Sequence, residues 1–98
     1  MVVGVAVFKF LIHQSFSLKQ KRQVIRSVVG KVRSKFDISI AEVGDNDKWQ
    51  AATLAVAVVS TDSAHAHSML ETIHNFIEGL HMAEIVSFTT EIVQFGNV

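Results

Sequence analysis

Seven of the nine basic residues in the chain fall between Ser17 and Lys35: Lys19, Lys21, Arg22, Arg26, Lys31, Arg33 and Lys35. No acid interrupts them. Elsewhere Lys9 and Lys48 stand against all nine acids, so a stretch of +7 balances a remainder of −7 and the formal net charge is zero. Charge segregated in this way speaks to partners more than to fold. Cations spaced along a rigid helix can neutralise several phosphates and release counterions. Such binding is salt-sensitive and largely independent of sequence. Lys19, Lys21, Arg22, Arg26 and Arg33 are therefore the candidate phosphate contacts, with RNA the expected ligand and no specificity for a DNA sequence. The plainer readings are a solvated helix face, or one that meets acids of a partner protein.

Other chemistry finds less support. The chain has no Cys, hence no disulfide framework and no thiol nucleophile. His67, Glu71, His74 and Glu78 recur at spacings of three and four, with His81 just beyond, and a metal can sit between such pairs. Their face lies opposite an apolar stripe, where water competes, and no third ligand can be identified elsewhere. The expected role is a solvated face. His13 and His65 stand alone. Asp45, Asp47 and Trp49 share a polar loop, which does not bury carboxylates as acid–base work requires. Trp49 reads as an interface anchor or as a lid over the sheet edge; the lid is the expectation. No Gly-rich phosphate loop is present, and His13-Gln14-Ser15-Phe16 lacks the Gly and Arg of an acylphosphatase loop. The expectation is a protein that is not an enzyme, with no cofactor and no metal.

The elements that position these residues follow from periodicity. Met1 to Ile12 is almost uncharged and rich in Val and Phe, a long central strand. Gly4 within it marks a bulge or a close backbone approach. Ser17 and Gln20 form a capping box at the start of the basic helix. At 100° per residue Leu18, Ile25, Val28, Val29 and Val32 make its core stripe, with Val24 at the edge. Lys19, Arg22, Arg26 and Arg33 fall on an adjacent face, and Lys31 and Lys35 flank the other side. Gly30 allows close approach or is simply tolerated. Phe36 to Val43 alternates as an edge strand, and Gly44 to Gln50 is a hairpin loop. Ala51 to Ser60 is a second central strand. A helix then runs to about Leu80 on Met69, Leu70, Ile73, Phe76, Ile77 and Leu80, with Gly79 near its end. Glu84 to Phe95 is the other edge strand.

This order, with right-handed crossovers, is a single α+β domain over residues 1–98: a ferredoxin-like βαββαβ sandwich. Both helices cover one face of a four-stranded antiparallel sheet ordered fourth, first, third, second. The central strands are apolar on both faces, so one set of side chains looks away from the helices. The candidate outward set is Phe8, Phe10, Val56 and Val58, and an apolar patch of that kind predicts a homo-oligomer, most simply a dimer. Base stacking on the sheet is not expected, because Leu54 to Val59 contains no aromatic residue. No run approaches the length of a membrane span, and Val2 to Phe8 lacks the flanks of a signal peptide.

Three stretches carry a family resemblance: Ser17-Leu18-Lys19-Gln20-Lys21-Arg22, Ile38-Ser39-Ile40-Ala41-Glu42-Val43, and Asp47-Lys48-Trp49-Gln50. In this order they resemble the bacterial YlxP-like family (domain of unknown function 503). Gln20 stands where that family usually has an acid, Phe16 where histidine is common, and Ala51 where a basic residue often follows. The last departure weakens the case for phosphate binding by the hairpin. The resemblance implies a ferredoxin-like fold and a bacterial cytoplasmic protein, often encoded beside translation and ribosome-maturation factors. It implies no activity and transfers no site residues. Together with the basic helix it makes a ribosomal particle, beside RNA, an expected partner. A homo-oligomeric module that docks an acidic protein surface is the alternative.

Overall fold

The computed structural model describes residues 1–96. Its elements are β1 (Val2–Leu11), α1 (Leu18–Lys35), β2 (Ser39–Gly44), β3 (Ala51–Ser60), α2 (Ser63–Leu80) and β4 (Glu84–Gln94). They form an antiparallel sheet ordered β2-β3-β1-β4, the ferredoxin-like arrangement, with the two most apolar strands in the middle.

The helix ends follow local chemistry. Ser17 is the N-cap of α1, and its hydroxyl accepts from the Gln20 amide at 3.1 Å. The returning half of the capping box shifts by one residue: Gln20 Oε1 accepts from the Phe16 amide at 2.6 Å, not from Ser17. Asp62 caps α2 by accepting from His65 N at 2.8 Å. At the other end of α2 the left-handed residue is His81, with φ 54°, and not Gly79.

The core fills the space between one sheet face and the helices. From β1 it takes Val2, Ala6, Phe8, Phe10 and Ile12, and from β3 Ala52, Leu54, Val56 and Val58. Ile25, Val28 and Val32 of α1 and Ala66, Leu70, Ile73 and Ile77 of α2 close it. Phe8, Phe10, Val56 and Val58 are thus buried beneath the helices and cannot form an outward interface. The outward set has the opposite parity: Val3, Val5, Val7, Lys9 and Leu11 on β1, and Ala51, Thr53, Ala55, Ala57 and Val59 on β3. The two inner strands are fully buried on one face only.

Gly4 marks close approach and not a bulge. A Cβ there would lie 3.1 Å from Val58 Cγ2, 3.2 Å from Leu70 Cδ1 and 3.3 Å from Ala66 Cβ, so its absence lets α2 settle on the sheet. The irregularity in β1 pairing lies instead at Lys9/Phe10 against β4. Gly30 meets nothing within 4 Å, so packing does not require it. Gly4→Ala should therefore destabilise the protein by about 1–3 kcal/mol through overpacking, whereas Gly30→Ala should stabilise it by about 0.5–1 kcal/mol. Urea denaturation of both variants measures the contrast.

Candidate functional site

The helix α1 divides its cations between two environments. Its buried residues are Lys21, Ile25, Val28 and Val32, so a lysine occupies the first turn of the apolar stripe. Lys21 is 0% exposed. Its Nζ donates to the Asp45 carbonyl at 2.7 Å and the Ala51 carbonyl at 3.2 Å, and lies 3.1 Å from Glu42 Oε2. That buried carboxylate oxygen makes no directed hydrogen bond, so charge alone holds it against the lysine. An ammonium has three donors and no acceptor; here two hydrogen bonds go to carbonyls, and the ion pair with Glu42 supplies the balancing charge. Lys21 is therefore removed from the phosphate-contact set: no anion from solvent reaches it, and it clasps α1 to the β2–β3 hairpin.

The hairpin is shaped to receive it. Asp45 adopts the left-handed region at φ 59°, which Asp tolerates better than most side chains. This turns its carbonyl to Lys21 and to the Lys48 amide, the latter at 3.0 Å. Its carboxylate accepts from Thr53 Oγ1 at 2.8 Å and pairs with Lys48 Nζ at 3.1 Å. Those bonds, the Thr53 hydroxyl foremost, hold the Asp45 carboxyl below the ordinary carboxylate value. Next to the clasp, Gln50 Nε2 donates to the Ser15 carbonyl at 3.0 Å and the Ile12 amide donates to the Gln50 carbonyl at 2.9 Å. The loop before α1 and the end of the hairpin are thereby fixed together.

The other cations of α1 are exposed. Arg33 Nη2 donates to the Ile40 carbonyl at 2.9 Å, which ties part of the row to the edge strand β2. Lys35 Nζ lies 5.3 Å from the Phe76 ring centre. Lys19, Arg22, Arg26 and Lys31 point to solvent, and among the described residues none of them lies within ion-pair distance of an acid. Of the five candidate contacts, Lys19, Arg22 and Arg26 are free, Arg33 is partly engaged and Lys21 is internal.

The remaining candidates do not assemble a reaction centre. Among the described residues no three His, Cys, Asp or Glu side chains converge as a metal site. His74 leaves the supposed polar face and packs at 4.5 Å from Phe88 and 6.2 Å from Phe8, ring centre to ring centre. His13 Nε2 and Glu84 Oε1 are 2.7 Å apart at the rim of an open cavity of about 230 Å³, with His81 and Met82 in its wall. Both partners are more than half exposed. Sequence reasoning missed this pair because 71 positions separate its members. Trp49 is 52% exposed and is not a lid.

Lys21 thus joins the stretch Ser17–Arg22 to Ile38–Val43 through Glu42, and Gln50, at the end of Asp47–Gln50, fastens the loop that precedes α1. Residues 3–90 match the family described as "Protein of unknown function (DUF503)". The chain belongs to the DUF503 family. It is 31% identical over 90 residues to the uncharacterized protein YlxP of Bacillus subtilis (strain 168), covering 92% of this chain and 98% of that relative. Among solved structures it is similar to SnoaB, a cofactor-independent oxygenase from Streptomyces nogalater, at 8% identity and a TM-score of 0.49. That match covers 98% of this chain and 95% of the other. It is also similar to a REP-associated tyrosine transposase bound to a REP hairpin, at 13% identity and a TM-score of 0.45, over 96% of this chain and 57% of the other. Both likenesses are too distant to bear on activity. In this DUF503 chain the motif residues Lys21, Glu42 and Gln50 hold the structure together. Among the described residues, no helix is long and apolar enough to cross a membrane.

The division of α1 has a direct consequence for stability. Lys21→Ala leaves the Glu42 carboxylate without its cation and takes one donor from each of two carbonyls; it should cost about 3 kcal/mol, the scale of breaking a buried ion pair. Arg22→Ala and Arg26→Ala, at exposed positions, should each change stability by less than about 0.5 kcal/mol. Chemical denaturation of the three variants separates the roles.

The Asp45 carboxyl gives a pH signature. Because its folded pKa is depressed, its contribution to stability is present above the unfolded value and fades as pH falls through the folded one. Thr53→Val removes the largest cause, so the carboxyl should titrate closer to its ordinary value and the acid-dependent loss should shrink. Carboxyl-detected NMR titration of wild type and variant reads this shift.

Proposed function

We propose that this protein is a non-catalytic, cytoplasmic accessory protein that docks on RNA or a ribosomal particle through the solvent-facing cations of α1. One observation carries the reading: Lys19, Arg22, Arg26 and Lys31 stand free of acids on a helix of 18 residues that contains none. The apolar stripe and the Lys21 clasp fix that helix to the sheet, so the cations are presented on a rigid support. A preformed row of this kind suits the regular spacing of phosphates and loses little freedom on binding. It positions a nucleic acid without reading its bases.

Binding to a mixed RNA pool should weaken with salt, with a slope of log affinity against log salt near about −3 for four phosphate contacts on single strands. The double variant Arg22→Glu/Arg26→Glu should lose this binding while keeping the wild-type circular dichroism. Filter binding or fluorescence anisotropy across a salt series provides the measurement. Wild-type protein with no salt-dependent RNA affinity would sink the reading. If affinity for an acidic protein surface persisted after nuclease treatment, the basic helix would belong to protein docking instead.

A further inference from the structure

The sheet face turned away from the helices is built in rows across the strands. Val59, Val3 and Val93 form one end. Next come Ser39, Ala57, Val5 and Glu91, then Ala41, Ala55, Val7 and Thr89. Gly44, Thr53, Lys9 and Ser87 follow, and Ala51, Leu11 and Glu84 close the other end. At the centre Ala41, Ala55, Ala57, Val5 and Val7 make a smooth apolar strip, flanked by Ser39, Thr53, Ser87 and Thr89. Larger apolar side chains stand at the ends, with Val59 68% and Leu11 39% exposed. Within this face Lys9 and Glu91 are the charged residues of the inner rows. Among the described residues neither has an ion-pair partner in its own chain. Asp45, which also feels the charge of Lys9, has its carboxylate taken by Thr53 and Lys48.

We infer that this face binds a second copy of the same chain, sheet against sheet, about a two-fold axis that crosses the strands at the Ala41–Ala55–Val7–Thr89 row. Such an axis reverses strand direction and exchanges the rows on either side of it. The row of Lys9 then meets the row of Glu91. Lys9 lies on β1 and Glu91 on the adjoining β4, a lateral offset of about 4.8 Å between sheets about 10 Å apart. The two long side chains span that gap, and symmetry makes the pair twice. The same operation sets Val59 over Ala51 and Val3 over Leu11, apolar on apolar, and brings Val93 over the β4 residue Glu84 at the edge. A two-fold axis along the strands would bring like rows together and draw the two Lys9 ammoniums toward each other, so the charges select the first geometry.

The area agrees. Strands of 10 residues in β1 and β3, at about 3.3 Å per residue and about 4.8 Å apart across four strands, give a face of roughly 600 Å² per copy. Two such faces bury about 1,200 Å², the lower bound of stable interfaces. The small residues at the centre allow the sheets to approach closely, as in a sandwich core. The assembly leaves both α1 helices on its outer surfaces, so it does not depend on what those helices bind.

Sedimentation equilibrium of the full chain at low salt tests the inference, with circular dichroism to confirm that each variant is folded. Wild type should have twice the monomer mass of 10.8 kDa. Lys9→Glu and Glu91→Lys should each weaken association roughly tenfold or more by placing like charges together. The double variant Lys9→Glu/Glu91→Lys should restore the dimer, because the two-fold axis re-pairs the exchanged charges. A monomeric wild type overturns the proposal. So does a dimer indifferent to either single reversal, or a double reversal that remains monomeric.

Discussion

The buried ammonium of Lys21 joins the two halves of this fold. It is the point at which α1, the end of β2 and the β2–β3 hairpin are held to one another. A charge in that position carries a desolvation cost of several kcal/mol, which only complete coordination offsets. That requirement propagates outward. It explains why Asp45 adopts a left-handed backbone, why Glu42 points under the helix, and why Gln50 fastens the loop that leads into α1. The register of the basic helix against the sheet follows from this contact together with the Ile25–Val28–Val32 stripe. A helix anchored in this way keeps its remaining cations in fixed positions, which a freely rotating element would not.

The consequence for function is a separation of roles among neighbouring residues of like charge. Lys21 and Arg22 are adjacent in sequence and 100° apart around the helix. One is enclosed by carbonyls and a carboxylate; the other is in water without an acid nearby. Of the stretches that resemble the DUF503 family, Lys21, Glu42 and Gln50 lie at the enclosed side, while Lys19 and Arg22 face water. The proposed docking surface uses the open side. The sheet face beyond it is a third surface with its own chemistry: Ala and Val line the middle of its inner strands, and among the described residues Lys9 and Glu91 stand on it without an ion-pair partner.

Much of this was legible in the sequence, for physical reasons. Two apolar runs, Val2–Leu11 and Ala51–Ser60, have the composition of inner strands, and the two helices between strands have clear stripes, so order and topology could be read directly. Side-chain parity was legible too, but not which parity meets the helices. The large rings of Phe8 and Phe10 drew the wrong choice. The signal lay in Lys9, which shares parity with Val3, Val5 and Val7 and marks that set as outward, and in Gly4, whose missing Cβ admits α2. Lys21 carried a similar signal. It continues the spacing Leu18, Lys21, Ile25, Val28, Val32 of the buried stripe, yet its charge made it read as surface. Its partners lie 24 and 30 positions away, beyond the reach of local pattern. Trp49 was misread because a hairpin tip has no periodicity to say which way a ring turns.

The central claim is that a helix locked by Lys21 presents its free cations to the phosphates of RNA or a ribosomal particle. The most direct measurement is gradient sedimentation of native cell extract, followed by immunodetection of this protein in each fraction. At low salt the protein should travel with ribosomal subunits and return to the top of the gradient when salt is raised or nuclease is added. A protein that stays at the top at low salt, or that co-migrates unchanged after nuclease treatment and high salt, would contradict the account.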